Sequence, residues 1–436
     1  MEGNYDLDED LIIPENCKII FNNASISGDY NIHFNDTELF GPIDIDVKSV
    51  SGKLSNDTIH VKWFGAKADG SNAALKIRQA ISVMRNGATL KFEPKEYTFG
   101  ANTGVEYERY PEGTIITQGS NSIDISGQPI TNVADFAKYG KVFPSEYSTI
   151  DDYVANLGEP WSFKVVDMEG VTFDGCGCTI KAADGCPAIN NASMFDFKGC
   201  KKLTFKNFTL DGNLPKRKEF HTDWVKINDN CNLSIKGGSD IIIENVVSQY
   251  SMMDGFKIDG DWRYNSDLTN DKLVCRRLTV RNCKFDYNYR QGMSLMDAWF
   301  ATFENCEFTN TGQALNDAGN KMGTSPMCGV DLEAELGMYY NPNSGRNEIT
   351  ENIGGEHSCA FRNCLFKGNR AEGLCLTNGA ANTIIEGCEF VNNKAYENNS
   401  PAYIHNNKFI GNIFRNCGIT LGTNGSLAVN NTFYFD

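Results

Sequence analysis

The sequence predicts an all-β protein, a right-handed parallel β-helix in which one chain winds short strands into a solenoid. A turn asparagine, a cysteine or apolar residue, a spacer and an aromatic or apolar residue recur, as in Asn282-Cys283-Lys284-Phe285 and Asn305-Cys306-Glu307-Phe308. The tightest copies begin 23 and 24 residues apart, at Asn282 and Asn305 and at Asn363 and Gly387. Because no helical pattern separates these copies, a period in the twenties indicates stacked parallel strands.

The segments around these turns have the composition of strands. Leu278-Thr279-Val280-Arg281, for example, alternates apolar and polar residues and is rich in β-branched side chains. Asparagine tolerates left-handed backbone geometry, and its amide can bond to the equivalent asparagine one rung away. We therefore expect the turn asparagines to form an internal ladder. Further copies of the pattern begin at Asn207, Asn245 and Asn416.

Charge and hydropathy limit the classes of partner. The chain has 436 residues and a net charge of −16, which argues against nucleic acid or an anionic membrane surface as the main partner. Its first residues lack the basic start and apolar core of a signal peptide, and no apolar run reaches the length of a bilayer span. We expect a soluble chain that binds no nucleic acid.

The fifteen cysteines are predicted to be structural. Cys283, Cys306, Cys364, Cys388 and Cys417 are interpreted as holding one repeat position, which should point inward as a stack of small reduced hydrophobes. Elsewhere a Cys-Gly-Cys segment lacks a second pair at zinc spacing, and the five histidines are scattered. We therefore predict no metal site and no cofactor.

The first third of the chain contains a distinct module. Val61-Lys62-Trp63-Phe64-Gly65-Ala66-Lys67-Ala68-Asp69-Gly70 leads into a predicted helix at 73–86. Ala74, Ile77, Ile81 and Met84 share one face of this helix, Ser71 or Asn72 is its predicted cap, and Gly87 its predicted stop. A strand should follow from Thr89.

This module resembles the opening module of the pectate-lyase-like superfamily, particularly of bacteriophage tailspikes and related polysaccharide-degrading enzymes. One departure lies directly after Asp69-Gly70, where Ser71-Asn72-Ala73 replaces the usual acidic pair and threonine. The resemblance implies a β-helix with a capping helix, a bacterial surface polysaccharide as ligand, a homotrimer and, in a virion tail, other tail proteins as partners in host-cell attachment. The alternative location is a bacterial enzyme, cytoplasmic or exported without a visible signal.

The predicted organisation is a strand-rich segment at 1–60 followed by the β-helix at 61–436. Lateral insertions are expected near 101–161, 213–233 and 311–357. The first insertion is rich in aromatic residues, which would serve either as a lip that stacks on sugar rings or as a small core of the insertion itself.

A second recurring signal, glycine followed by apolar-x-apolar, aligns the rungs on one side. The aligned segments are Gly255–Asp259, Gly292–Met296, Gly329–Glu333, Gly373–Thr377 and Gly418–Gly422. Strand alternation sends their apolar residues, Phe256, Ile258, Val330 and Leu332 among them, into the core. The same alternation turns Lys257, Asp259, Asp331 and Glu333 outward on one face of the solenoid.

These carboxylates are candidates for catalysis. If Gly255 and Gly329 lie two rungs apart, Asp259 and Glu333 are about 10 Å apart at Cα. Side chains can narrow this to the roughly 5–9.5 Å separations used in glycoside hydrolysis. Crowded carboxylates raise one another's pKa, so we predict Glu333 as general acid and Asp331 or Asp259 as base or nucleophile. Val330-Asp331-Leu332-Glu333 also resembles a rung of tailspike-like β-helix proteins.

Six further residues are predicted to bind the substrate. Lys257 shares the acidic face, Trp262 follows Asp259, Trp299 follows Asp297, and the loop after Glu333 carries aromatic and basic side chains suited to sugars. The predicted substrate-binding residues are Lys257, Asp297, Trp262, Trp299, Tyr339 and Arg346.

Two other functions stay open. A polysaccharide lyase would abstract a proton from a uronic acid, with Lys257 and Tyr250 or Arg290 and Tyr289 as base and neutralising cation. The arrangement of calcium-dependent pectate lyases is not visible, so calcium is not predicted. The third reading is a non-catalytic glycan-binding or structural tail protein, which would bind polysaccharide without forming any product.

Overall fold

The computed structural model describes most of the chain and shows stacked parallel strands throughout it. The described residues are 1–100, 110–118, 121–124, 126, 130, 133–141, 162–186, 193–217, 230–261, 263, 273–333, 338–341, 346–349, 358–377, 380–397, 406–422 and 425–435. The prediction of a parallel β-helix is confirmed, because strands from successive rungs pair in parallel and in register.

The strands and helices follow one another in the order of the chain. The first part contains β1 Gly3–Asp6, β2 Leu11–Ile12, β3 Lys18–Ile20, β4 Ala24–Phe40, β5 Ile45–Leu54, β6 Thr58–His60, α1 Ala74–Ser82, β7 Thr89–Lys91, β8 Glu96–Phe99, β9 Ile115–Gln118, β10 Asn121–Asp124 and α2 Val133–Lys138. The middle part contains β11 Phe163–Val166, β12 Thr172–Ala182, β13 Phe195–Lys198, β14 Thr204–Asp211, β15 Leu233–Lys236, β16 Gly238–Glu244, β17 Val247–Gln249, β18 Asp254–Asp259, β19 Cys275–Arg281, β20 Lys284–Asp286 and β21 Gln291–Leu295. Next come β22 Ala298–Trp299, β23 Thr302–Glu304, β24 Glu307–Thr309, β25 Ala314–Leu315, β26 Lys321–Met322, β27 Val330–Leu332, β28 Met338–Asn341, β29 Arg346–Ile349, β30 Ala360–Arg362, β31 Leu365–Lys367 and β32 Leu374–Leu376. The last part contains β33 Ile384–Glu386, β34 Glu389–Val391, β35 Ala395–Glu397, β36 Lys408–Ile410, β37 Ile413–Arg415, β38 Ile419–Thr420, β39 Leu427–Val429 and β40 Thr432–Tyr434.

Each rung of the solenoid has three faces. The first face stacks β7, β16, β19, β23, β30, β33, β36 and β39, and the second stacks β8, β17, β20, β24, β31, β34, β37 and β40. Strands β12 and β14 run through both of these faces. The third face, which we call the lateral sheet, has nine parallel strands in the order β11, β13, β15, β18, β21, β27, β32, β35 and β38.

Apolar side chains from all three faces fill the interior. On the second face, phenylalanines from successive rungs stack nearly parallel, with ring centroids 4.6 to 5.2 Å apart. This column consists of Phe285, Phe308, Phe366, Phe390, Phe414 and Phe433. The aromatic residue of the sequence repeat is therefore its core residue, and alternation along each short strand explains its period.

The turn asparagines form a ladder between the first and second faces. Asn245 donates to Asn207 at 3.1 Å, Asn282 to Asn245 at 3.4 Å and Asn305 to Asn282 at 3.3 Å. The hydrogen-bonded asparagines were expected inside the solenoid, and this is wrong, because the ladder is solvent-exposed. The left-handed backbone of this turn explains why asparagine recurs there, since each of these four residues has a φ between 53° and 61°.

A substitution at this turn tests the backbone requirement. We expect Asn305→Ala to lower the free energy of unfolding by about 1–2 kcal/mol, because alanine disfavours the left-handed conformation. Asn305→Gly should cost less, since Gly387 occupies the corresponding turn with a φ of 62°. Urea unfolding of both variants checks this, and an equal loss in the two would contradict it.

A second set of asparagines is buried. Asn369 donates to the Phe308 carbonyl at 3.0 Å and to Asn393 at 3.1 Å, and Asn393 donates back to the Asn369 carbonyl at 2.9 Å. These residues lie at the turn between the second face and the lateral sheet. They satisfy backbone groups that strand pairing leaves open at that corner, which the sequence pattern did not reveal.

The cysteine prediction is confirmed for four residues and wrong for one. Cys283, Cys306, Cys364 and Cys388 are buried and occupy one repeat position, because the backbone carbonyl of each accepts a hydrogen bond from the following rung. Cys417 lies one turn further along its rung, after β37, and Asn412 takes the repeat position instead. The pattern Asn-Cys alone cannot distinguish these two turns.

The module after residue 60 contains the predicted helix, although α1 is shorter than 73–86. All four predicted face residues are buried. The capping prediction is corrected: Ala73 is the N-cap residue, Asn72 Oδ1 accepts from the Ala74 N–H at 3.1 Å, and the helix ends well before Gly87. That α1 caps the solenoid stays a prediction, as does the domain boundary near residue 60.

The insertions begin or end at the lateral sheet. The first contains the β9–β10 hairpin and α2, where the rings of Tyr110 and Tyr139 are in contact, Phe136 is buried and Tyr110 donates to Asp135 at 2.8 Å. Tyr110 and Tyr139 therefore pack on each other within the insertion, and the remaining aromatics of 101–161 lie outside the described residues. The range 311–357 contains β27, which pairs within the lateral sheet. In the described ranges, no helix is long and apolar enough to cross a membrane.

Candidate functional site

The predicted catalytic residues lie on or directly after two strands of the lateral sheet, β18 and β27, with β21 between them. Lys257 of β18, Ser294 of β21 and Asp331 of β27 are paired in register, so they form one column with a spacing of about 4.8 Å. Asp259 and Glu333 follow two residues later, on the same side of their strands. Gly255 and Gly329 therefore lie two rungs apart, which is the spacing on which the expected separation of Asp259 and Glu333 depends.

The long connections of the solenoid adjoin this sheet. Those from β8 to β11, β14 to β15, β18 to β19, β24 to β27, β27 to β30 and β35 to β36 each begin or end at a lateral strand. The first and second faces are joined only by short turns. These long connections thus start or finish at strands of the sheet that carries the acidic residues.

Asp331 is the most perturbed acid of the site. Only 5% of it is exposed, and Gln291 Nε2 donates to its Oδ2 at 2.9 Å. Burial raises the pKa of Asp331 to about 8, and the nearby carboxylates of Glu333 and Asp254 add to this rise against the lowering effect of Arg290. Asp331 therefore carries a proton at neutral pH.

Glu333 is the member of the cluster that retains access to solvent. Its side chain is half-buried, and its backbone N–H donates to the Leu295 carbonyl at 2.9 Å, which continues the ladder past the end of β27. Burial raises the pKa of Glu333, with Asp254 and Asp259 acting in the same direction and Arg290 and Lys257 opposing them. Four charged side chains thus act on Glu333 at the end of this strand.

A buried ion pair supports these acids. Arg290 Nε donates to Asp254 Oδ1 at 2.8 Å and Arg290 Nη2 donates to Oδ2 at 2.6 Å, a bidentate arrangement. Asp254 has no exposed surface. The guanidinium neutralises Asp254 and lowers the pKa of both Asp331 and Glu333. Arg290 is therefore the main positive charge that permits so many carboxyl groups in one place.

Lys257 and Asp259 form a second ion pair at 3.5 Å on β18. The Gly260 N–H also donates to Asp259 Oδ1 at 2.6 Å. A neighbouring cation and a donated hydrogen bond both favour an ionised carboxylate. Asp259 is thus paired with a cation, whereas Asp331 accepts a hydrogen bond from the neutral amide of Gln291.

Buried oxygen atoms without a protein partner mark the same column. Ser234 Oγ, Ser294 Oγ and Asp331 Oδ1 are buried and have no hydrogen-bond partner among the described residues, and neither has Asp196 Oδ1. These residues follow one another across the lateral sheet with Lys257 between them. Buried polar atoms are nearly always satisfied, so a line of unsatisfied oxygens indicates positions for water or for ligand hydroxyl groups.

Asp331 should make the stability of the fold depend on pH. Its pKa rises from 3.8 to about 8 on folding, so the folded chain holds a proton that the unfolded chain has lost. The stabilisation is fully present below about pH 4 and is lost as the pH rises through about 8. We expect Asp331→Asn to flatten this decline in urea unfolding across that interval.

The matched control for this prediction is Asp317→Asn, which changes an exposed acid paired with Lys216 at 2.7 Å. It should leave the pH dependence of stability as in the unmodified chain. A decline in Asp331→Asn as steep as in the unmodified chain would contradict the assignment.

Several predicted substrate-binding residues are not part of the cluster. Asp297 is fully buried, so it has no surface to offer a ligand. Trp299 packs beside Leu273 and Val274 with the Arg276 guanidinium 4.6 Å from its ring centroid, beyond the edge of the lateral sheet. Both residues follow β21, where the chain leaves the lateral sheet, and their role in substrate binding stays a prediction.

Three predicted residues cannot be placed as side chains. Trp262 lies outside the described residues. Tyr339 and Arg346 belong to β28 and β29, which form an antiparallel pair, and nothing follows about their side chains. Their substrate-binding role stays a prediction.

The acidic face was predicted to be open, and this is wrong, because most of its members are buried. Lys257, Asp259 and Asp331 do lie outside the apolar core, as alternation requires, yet each is less than a tenth exposed.

The tyrosines proposed for a lyase reaction lie outside this column. Tyr289 is buried in an apolar cluster with Met252 and Met253, and Tyr250 packs against that cluster and stacks on Tyr287 at 5.4 Å.

The site also contains residues that the alignment of strands missed. Asp254 and Gln291 each stand directly before the glycine of an aligned segment, and they are paired in register. Cys328 and Glu372 hold the same place before Gly329 and Gly373. Reading the residue before each recurring glycine would have found this set. The alignment also skipped a rung, because β35 lies between β32 and β38.

Among the described residues, one group has the composition of a metal site. Cys328, Glu372 and Cys375 bring two thiols and a carboxylate together where β27 and β32 begin.

Comparison with known proteins gives similarity of fold only. No family model and no curated protein matches this chain. Among solved structures, it is similar to the ORF18 protein of Geobacillus virus E2, with 15% identity over 87% of this chain and 61% of that one, at a TM-score of 0.43. The A-module of mannuronan C-5 epimerase AlgE4 from Azotobacter vinelandii aligns at 13% identity over 87% of this chain and 97% of that one, at a TM-score of 0.42. The Dettilon tailspike protein gp208 aligns at 11% identity over 87% and 68%, at a TM-score of 0.35. The predicted resemblance to tailspike-like parallel β-helix proteins is confirmed for the fold.

Proposed function

We propose that this parallel β-helix binds a polysaccharide along its lateral sheet and hydrolyses it, with Glu333 as the general acid. The observation that carries the proposal is the clustering of Asp254, Lys257, Asp259 and Arg290 around Glu333, the acid of this group that reaches solvent. Burial and the neighbouring carboxylates raise the pKa of Glu333, which favours the protonated state that a general acid needs.

The reaction assigns different tasks to the carboxyl groups. Glu333 gives its proton to the glycosidic oxygen as the bond from that oxygen to the anomeric carbon breaks. Water forms the new bond to that carbon and passes a proton to Asp259, which its ion pair with Lys257 keeps ionised. Asp331 is protonated at neutral pH and so does not act as the base; the carboxylates of Glu333 and Asp254 are among the groups that raise its pKa.

The unsatisfied oxygens of the column are buried, so the substrate meets the site at Glu333 and not at these atoms. Ser234 Oγ, Ser294 Oγ and Asp331 Oδ1 suit bound water instead, which can relay hydrogen bonds toward a sugar hydroxyl.

The lyase alternative has less support. If Lys257 were the base, it would have to be uncharged before it could take a proton from the sugar. Its ion pair with Asp259 favours the charged form instead. The other pair, Arg290 and Tyr289, is also disfavoured, because Tyr289 is buried among apolar residues.

A specific observation favours non-catalytic glycan binding as the second candidate. Asp259 and Asp331 are only 3% and 5% exposed, so a substrate must reach the catalytic group through Glu333. A protein that used the same column only for binding would need no freely accessible base. Attachment of a virion to its host, as a homotrimeric tail component, is the setting that fits this candidate, and sedimentation would measure the oligomeric state.

The test is incubation of the purified protein with a panel of bacterial capsular and cell-surface polysaccharides, with products read by mass spectrometry. Oligosaccharides that have gained water support hydrolysis. Unsaturated products at water-deficit mass would replace hydrolysis by the lyase reaction, and retained binding without shorter chains would favour the second candidate.

A further inference from the structure

Two cysteines outside the repeat position face each other across neighbouring rungs. Cys328 precedes β27 and Cys375 lies within β32, and these two strands are paired in parallel. Their Sγ atoms are 3.1 Å apart. The stack of Cys283, Cys306 and Cys364 lies at another corner of the solenoid, so the sequence repeat does not account for this pair.

Glu372 completes the group from the same edge of the sheet. Its carbonyl accepts from the Gly329 N–H at 2.9 Å, which holds the two segments side by side. Its Oε2 lies 3.7 Å from Cys328 Sγ and 3.9 Å from Cys375 Sγ. The three ligand atoms all lie within 4.8 Å of one another.

An ion pair with Lys394 holds the carboxylate of Glu372 in this orientation. Lys394 Nζ lies 3.1 Å from Oε1, on the next rung, so Oε2 is the oxygen directed at the thiols. A carboxylate fixed by a second partner while its other oxygen faces two sulfur atoms is the arrangement that metal sites use to orient a ligand.

We infer that Cys328, Cys375 and Glu372 bind one divalent cation of the zinc class at this edge of the lateral sheet. Two thiolates and one carboxylate oxygen match the ligands of zinc, whereas magnesium and calcium require oxygen ligands. Cys328 is buried, and Glu372 is half-exposed and provides the route to solvent. Three protein ligands leave a fourth position for water or another donor.

This site is independent of the proposed hydrolysis, and its test does not use activity. The purified, reduced and metal-free protein is titrated with cobalt(II), a spectroscopic substitute for zinc, and charge-transfer absorption from thiolate to cobalt is recorded. We expect a single cobalt ion per chain with this absorption, and its displacement by zinc.

Three variants test the assignment of the ligands. Cys375→Ser should abolish the charge-transfer absorption of the site, while Cys388→Ser, which changes a buried cysteine of the repeat stack, should keep it. Lys394→Met changes a partly exposed residue and should retain the fold, as circular dichroism would verify. Loss of this supporting contact should weaken cobalt binding about 10–100-fold.

The opposite results overturn the inference. Absence of thiolate-to-cobalt absorption in the reduced protein would do so, as would absorption that persists in Cys375→Ser. Recovery of Cys328 and Cys375 as a disulfide that reforms in the presence of zinc would assign the pair to redox chemistry instead.

Discussion

Glu333→Gln should reduce polysaccharide cleavage by about 10²–10⁴-fold, the contribution typical of a general acid. Glutamine keeps the size of the side chain but has no proton to donate to a leaving oxygen. Because Arg290, Asp254 and Asp259 remain in place, binding of the polysaccharide should persist. The loss should therefore appear in kcat, with KM changed little.

Glu307→Gln is the matched control for this variant. Glu307 is exposed on the second face, 3.8 Å from Lys284, and its replacement should leave cleavage intact. In the unmodified protein, cleavage should fall as the pH rises and the acid loses its proton, since burial raises the pKa of Glu333 but does not abolish its ionisation. Full activity in Glu333→Gln would remove Glu333 from the mechanism and leave the fold assignment unchanged.

Arg290→Met should lower the free energy of unfolding by about 3–5 kcal/mol, because it leaves the fully buried Asp254 without its counterion. Methionine fills a similar volume, so the loss reports on charge rather than on packing. The same change should raise the pKa of Glu333 further, since Arg290 opposes its rise. Urea unfolding measures the first effect, and the pH profile of cleavage measures the second.

Arg277→Met provides a control with similar geometry. Arg277 also binds an aspartate through two nitrogens, at 2.6 and 2.9 Å, but that pair with Asp240 is largely exposed. Its loss should cost at most about 1 kcal/mol, because water screens such pairs. Equal losses in the two variants would show that the environment of Arg290 is not special.

The lateral sheet shows which side-chain positions can be predicted from strand alternation. Alternation on a strand is a property of the chain itself, and it correctly assigned Phe256 and Leu332 to the core and Lys257 and Asp331 to the outside. Asp297 and Trp299 follow β21 rather than belong to it, so alternation does not place their side chains. Once a chain leaves a sheet, the positions of its side chains depend on contacts that no periodicity encodes.

The sequence by itself determined the parallel β-helix, the rung spacing and the register of β18, β21, β27 and β32, because each follows from short-range alternation and from turns that need left-handed residues. Only the tertiary structure decided which turn each asparagine and cysteine occupies, and that Arg290 meets Asp254 beneath the acids. It also decided that Cys328 meets Cys375. Such contacts join residues from different rungs, and insertions of unequal length separate them along the chain. Their burial and charge, which set the protonation of Asp331 and Glu333, exist only when the rungs are stacked.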